Sequence, residues 1–160
     1  MRTLVWFRGK DLRLHDHAPL HQAMREGEVI PLFVLDPYFF APKRARNLPH
    51  RMQFLLESLR ALESNLASRG SRLLVVEGKS VDVVPKLASA WNVDRVLAQR
   101  WSEPFARERD ARIAKALGDK FELFEGELLL PPDLLRSGSG TPFRVFTHFA
   151  KAFHKQAVLS

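Results

Sequence analysis

The densest chemistry in the chain lies near its start, in Trp6-Phe7-Arg8-Gly9-Lys10-Asp11-Leu12-Arg13-Leu14-His15-Asp16. Arg8, Lys10, Asp11 and Arg13 place four charges directly after an apolar run, beside two aromatic rings. Charges this close to a core strand must be paired or solvated. Asp11 with Arg13 or Lys10 is the expected ion pair. The residues alone support two readings equally: a salt-bridged knot holding the first loop, or a ligand site.

Three other groups invite chemical readings. Gly78-Lys79-Ser80 follows an apolar run and opens a helical pattern, as a phosphate-binding loop does, but the glycine that loop needs five residues earlier is Leu73. A tight turn with Ser80 as helix N-cap is expected instead. His15, His17 and His21 include a four-residue spacing that could share a helix face, yet no carboxylate joins them in a metal-binding spacing. Neither a Gly-x-Ser-x-Gly elbow nor a Gly-x-Gly-x-x-Gly fingerprint is present, which argues against hydrolase and dehydrogenase chemistry.

The elements that must position these residues alternate between apolar runs and helical patterns, the signature of βαβ units. Strands are predicted at about Thr3–Phe7, Val29–Leu35, Arg72–Val76, Arg95–Gln99 and Lys120–Phe124. Helices are predicted at Pro19–Glu26, through the stripe Leu55, Leu59, Leu62 and Leu66, at Val81–Trp91, at Pro104–Leu117, and from about Val145 to Val158. Gly70 and Gly118 serve as helix stops. A proline- and arginine-rich loop runs from Asp36-Pro37 to about Pro49. The expected fold is α/β, a five-stranded doubly wound parallel sheet of Rossmann-like type, as one domain over 1–160. Ligands of such sheets bind beyond the carboxyl ends of the strands. The loops there begin at Arg8, Asp36, Glu77 and Gln99.

Composition narrows the class. With 160 residues, 46% hydrophobic and 27% charged, the chain reads as one globular domain. Cysteine is absent, which removes disulfides and thiolate chemistry and fits a reducing cytoplasm. No run has the length of a signal-peptide core or a membrane span. The net charge of +7 makes weak, non-specific contact with DNA an expected property.

Taken in order, these segments resemble the N-terminal domain of the DNA photolyase/cryptochrome family. Leu4-Val5-Trp6-Phe7-Arg8 and Asp11-Leu12-Arg13-Leu14-His15-Asp16 resemble its opening signature. Leu32-Phe33-Val34-Leu35-Asp36-Pro37 resembles the second strand and its exit, and Arg51 with Phe54-Leu55-Leu56-Glu57-Ser58-Leu59 the helix after the long loop. Glu77-Gly78, Glu103-Pro104 with Arg109-Asp110, and Ser137-Gly138-Ser139-Gly140 with Pro142-Phe143 follow in register.

The resemblance implies a light-harvesting antenna domain, in a family whose full-length members repair DNA with light or sense blue light. The catalytic FAD, the electron-relay tryptophans and the lesion pocket belong to a C-terminal helical domain, expected to be absent from this chain and supplied in cis or trans. The chain alone is therefore expected to be non-catalytic, and Trp6, Trp91 and Trp101 read as core or pocket residues. The alternative is a stand-alone nucleotide- or flavin-binding module without light chemistry.

Three departures bear on the antenna. The first loop is one residue longer at Gly9-Lys10. The Asn-Glu pair that holds folate falls at Phe105-Ala106, which cannot supply those hydrogen bonds. The acidic residue of deazaflavin pockets falls near Trp101. A flavin or deazaflavin is favoured over folate. Its expected site is the switch point between the ends of the first two strands, with Lys10, Asp11 and Arg13 on one wall and Phe33, Val34, Leu35 and Asp36 on the other. Arg51 is expected to face a phosphate or acidic side chain of the ligand, with Gln99 and Trp101 closing the far side and Trp101 filling ring space.

Overall fold

The computed structural model describes residues 1–131 and 134–157; the predicted helix end at Val158 lies outside them. Five strands form one parallel sheet: β1 (Arg2–Phe7), β2 (Glu28–Leu35), β3 (Leu74–Glu77), β4 (Arg95–Gln99) and β5 (Phe121–Phe124). Their order is β3-β2-β1-β4-β5. β1 pairs with β2 from Arg2↔Glu28 to Phe7↔Phe33 and with β4 from Thr3↔Arg95 to Val5↔Leu97. Both of its edges are therefore paired, and Leu4, Val5 and Phe7 are fully buried.

Alternation along the strands divides the core in two. Leu4, Trp6, Leu32, Val34, Val96 and Ala98 face α5 (Ser80–Ala90) and α6 (Pro104–Leu117). Val5, Phe7, Phe33 and Leu97 face α1 (Ala18–Glu26) and α4 (Pro49–Ala67), whose stripe Leu59, Leu62 and Leu66 is buried. Each buried leucine contributes about 1.5–3 kcal/mol of transfer free energy. Helices on both faces make the sheet doubly wound, as the sequence predicts.

The structure changes four local readings. The segment after Asp36 is not a plain loop: α2 (Pro37–Phe40) and α3 (Pro42–Arg46) run through it. Like α4, each starts on a proline, whose fixed φ suits the first helical turn and whose missing N–H would have no partner there. Asp36 caps α2 by accepting from the Tyr38 amide at 2.9 Å. The edge strand β3 begins at Leu74 rather than Arg72, where pairing with Leu32 starts. At the start of α5 the N-cap position is Lys79 and not Ser80, whose hydroxyl is used elsewhere. The last helix, α7, spans Phe146–Gln156, and Phe149 gathers Phe143, Phe146 and Phe153 around it at centroid distances of 6.0–6.4 Å. Phe146 in that cluster is exposed. Among the described residues no helix is long and apolar enough to cross a membrane.

Candidate functional site

β1 delivers Arg8 to the carboxyl end of the sheet, where its guanidinium is only 2% exposed. Its Nη1 donates to both oxygens of Asp110 on α6, at 2.9 and 3.1 Å. Arg109, also on α6, donates from Nε to the same carboxylate at 2.9 Å. Both guanidiniums lie between two indoles, 4.7 and 5.1 Å from the Trp6 ring and 5.3 and 5.4 Å from Trp101. Burial lowers the Arg109 pKa; Asp110 works against that and nearby Arg8 adds to it.

The strand order places the topological switch between β1 and β4, not between β1 and β2. Trp101, Arg8, Arg109 and Asp110 cluster there, all buried. The open cavity lies beside this cluster, over the ends of β1 and β2, with a volume of about 200 Å³. Its apolar wall includes Phe33, Phe39, Phe40, Met52 and Leu55; its cations are Arg8, Lys10, Arg44, Arg51 and Arg109; its one acidic lining residue is Asp36.

Of the residues predicted to form the site, Lys10, Phe33, Val34, Asp36, Arg51 and Trp101 line this cavity. Asp11, Arg13, Leu35 and Gln99 do not. Asp11 is fully buried, but neither Lys10 nor Arg13 pairs with it. It accepts from the Arg8 amide and faces His17 Nε2 at 3.6 Å. A carboxylate three residues ahead can turn back onto a strand-end amide, which the longer flanking cations do not need to reach. Arg13 pairs with Asp16 at 2.6 Å, and Lys10 with Glu103 and Glu127. Leu35 packs into the α1–α4 core. Gln99 is buried behind Gly126, where an added Cβ would lie 2.7 Å from its amide nitrogen.

His17 is fully buried and caps α1, its Nδ1 accepting from the Leu20 amide at 3.1 Å. Among the described residues no set of three metal-ligating side chains is gathered. Asp36 is the junction of the site. Beyond capping α2, it accepts from the Ser80 amide at 2.8 Å and the Ser80 hydroxyl at 2.7 Å, tying β2 to α5. The rim is aromatic: Tyr38 stacks on Phe105 at 3.5 Å between centroids, with Arg44 on its ring at 4.0 Å.

This architecture can be placed among known proteins. A family model described as DNA photolyase matches residues 3–159. The chain belongs to the DNA photolyase family. It is 40% identical over 150 residues to the deoxyribodipyrimidine photo-lyase of Thermus thermophilus, covering 94% of this chain and 33% of that one. It is 42% identical over 115 residues to cryptochrome-2 of Gallus gallus, covering 71% and 19%. A solved archaeal photolyase from Sulfolobus tokodaii, described with two FAD molecules and a proposed novel light-harvesting cofactor, superposes with a TM-score of 0.80 at 31% identity, over 100% of this chain and 36% of its own. The chain thus spans about a third of the photolyases' length and corresponds to their N-terminal α/β domain.

Proposed function

We propose that residues 1–160 form the antenna domain of a photolyase or cryptochrome, with the β1–β2 cavity as its chromophore pocket. The observation that carries this is an apolar cavity with a cationic lining, at the ligand end of a photolyase-family sheet. Phe33, Phe39, Phe40, Met52 and Leu55 suit a flat ring, and Arg44 and Arg51 suit an acidic group. Folate is disfavoured because Phe105 is committed to its stack with Tyr38 and Ala106 is fully buried. Light-driven repair or signalling belongs, in this reading, to a helical flavin domain in cis or trans, and the aromatic cluster of α7 supports a partner at that end. Contact of this chain with DNA is electrostatic, about micromolar or weaker at physiological salt.

Size limits the antenna. Pockets for drug-sized ligands start at about 300 Å³, and this cavity offers about 200 Å³ while Trp101 stays in place. A flavin or deazaflavin ring fits the chemistry of the walls but needs Trp101 to yield. When bound, such a chromophore would supply light absorption; the chain's own residues hold and orient it. The isolated domain is therefore expected to purify empty and to bind FMN weakly, with tighter binding in Trp101→Ala. Titration of FMN into both proteins, followed by flavin fluorescence, decides. Tight binding by the wild type that is lost in Trp101→Ala would show a stacking ring and overturn the filling argument.

A further inference from the structure

Two arginines share one carboxylate beneath the cavity, and the sharing is incomplete. Arg8, Arg109 and Asp110 are 2%, 5% and 4% exposed, so bulk solvent does not reach them. Arg8 Nε and Nη2 and Arg109 Nη2 have no hydrogen-bond partner, although all three are buried. Arg109 Nη2 lies 2.8 Å from Asp110 Oδ1 but is not aligned to donate to it. The indoles of Trp6 and Trp101 attract the faces of both guanidiniums and leave these N–H edges unserved.

Other groups around the cavity do not serve these donors. Lys10 is held by Glu103 and Glu127. Asp36 spends its oxygens on Ser80 and Tyr38, although its charge still favours the Arg109 cation. Arg44 and Arg51 lie against the rings of Tyr38 and Phe39. Lys10, Arg44 and Arg51 are exposed and solvated, so the buried set is Arg8 and Arg109 against Asp110 and Asp36, and it is N–H donors rather than charge that stay unmet. Buried unmade hydrogen bonds are costly, and an anion that accepts several N–H donors at once relieves them. A neutral ring carbonyl would accept only one of them.

We propose that Arg8 and Arg109 form an oxyanion subsite that takes a phosphate group, with Trp101 as its movable cover. Both arginines line the cavity, and the fork geometry of a guanidinium matches a phosphate better than a single charge does. The proposal rests on the chromophore-pocket reading and deepens it: the ligand class becomes a phosphorylated flat ring. The phosphate could be part of that ligand or arrive as a free anion.

Two arms separate these sources. In the first, FMN and riboflavin, which differ only in the phosphate, are titrated into wild type, Arg8→Lys and Arg109→Gln, each also carrying Trp101→Ala to open the cover. The expected result is an FMN preference of about tenfold that falls to about one in both variants. Equal affinities in the parent would overturn the subsite, and a preference that survives in both variants would overturn it and move the phosphate to Arg44 and Arg51. In the second arm, inorganic pyrophosphate is compared with sodium chloride at matched ionic strength in thermal melts of the wild-type protein. A rise in Tm specific to pyrophosphate, lost in Arg8→Lys or Arg109→Gln, supports the subsite; no specific rise counts against it. If neither flavin binds any variant, the pocket reading fails, and the pyrophosphate arm still decides the subsite. Circular dichroism identifies any variant that does not fold, and the other arginine then carries the test.

Discussion

Asp110→Asn isolates the charge that holds two buried arginines in place. The substitution preserves shape and removes one negative charge from between Arg8 and Arg109. At an effective dielectric of about 20, each contact near 2.9 Å has a gross Coulomb term of about 6 kcal/mol. Desolvation of the carboxylate offsets much of this, and breaking a buried pair from one side costs about 3–5 kcal/mol in net stability. Domains have only about 5–15 kcal/mol to lose. With a urea dependence of about 2 kcal/mol per molar, the midpoint should fall by roughly 1.5–2.5 M. Equilibrium urea unfolding followed by circular dichroism measures it, with exposed Asp119→Asn as the control, expected within about 0.5 kcal/mol of wild type. Adding Arg8→Met to Asp110→Asn should return part of the loss, because the surplus cation goes with it. If Asp110→Asn unfolds within about 1 kcal/mol of wild type, the arginines do not depend on that charge and the charge argument fails.

Two further outcomes are expected. Asp36→Ala removes three hydrogen bonds to an ionised acceptor and should cost about 2–4 kcal/mol in the same unfolding assay, whereas Ser80→Ala should cost about 1 kcal/mol; equal losses would refute Asp36 as the junction. At the rim, burial alone would raise the Glu103 carboxyl, but the hydrogen bond from Lys10, a backbone hydrogen bond and the charges of Lys10 and Arg109 together outweigh it, and the net is below the ordinary 4.5. That depressed value means the Glu103 contribution to stability is present above pH 4.5 and is lost as pH falls through the lower folded value. For Lys10, burial acts downward, and its hydrogen bonds to Glu103 and Glu127, with the charges of those carboxylates, carry its pKa above 10.5. Its contribution is accordingly full below that pH and lost as pH rises through the raised value. An NMR titration should show the Glu103 midpoint rising in Lys10→Met; no movement would remove Lys10 as the cause. The stability change itself should be small, because both side chains are largely exposed.

The sheet was legible because its strands are apolar on both faces and its helices carry clean stripes such as Leu59, Leu62 and Leu66. The region between Asp36 and Pro49 was not, because α2 and α3 are too short for a period to show. Proline read as a breaker there, although Pro37, Pro42 and Pro49 each begin a helix. The candidate site was half legible. Local proximity suggested that Asp11 should pair with Lys10 or Arg13, and the fold instead uses it on a backbone amide. The Arg8–Asp110–Arg109 cluster was missed as a unit although each residue sat in a quoted motif. Its partners are 102 residues apart in sequence, and only the adjacency of β1 and β4 brings them together. No local spacing carries that information.

That adjacency also sets a timetable. β1 is synthesised before its second neighbour, which is encoded about ninety residues later, at Arg95–Leu97. At about 5–20 residues per second, the ribosome needs roughly 5–18 s to make that partner. Until then the ladder can grow only outward through β2 and β3, and the layer that covers Leu4 and Trp6 lacks α6. The central strand of the finished protein therefore spends its early life as an unprotected edge, and β4 and α6, made later, convert that edge into the core.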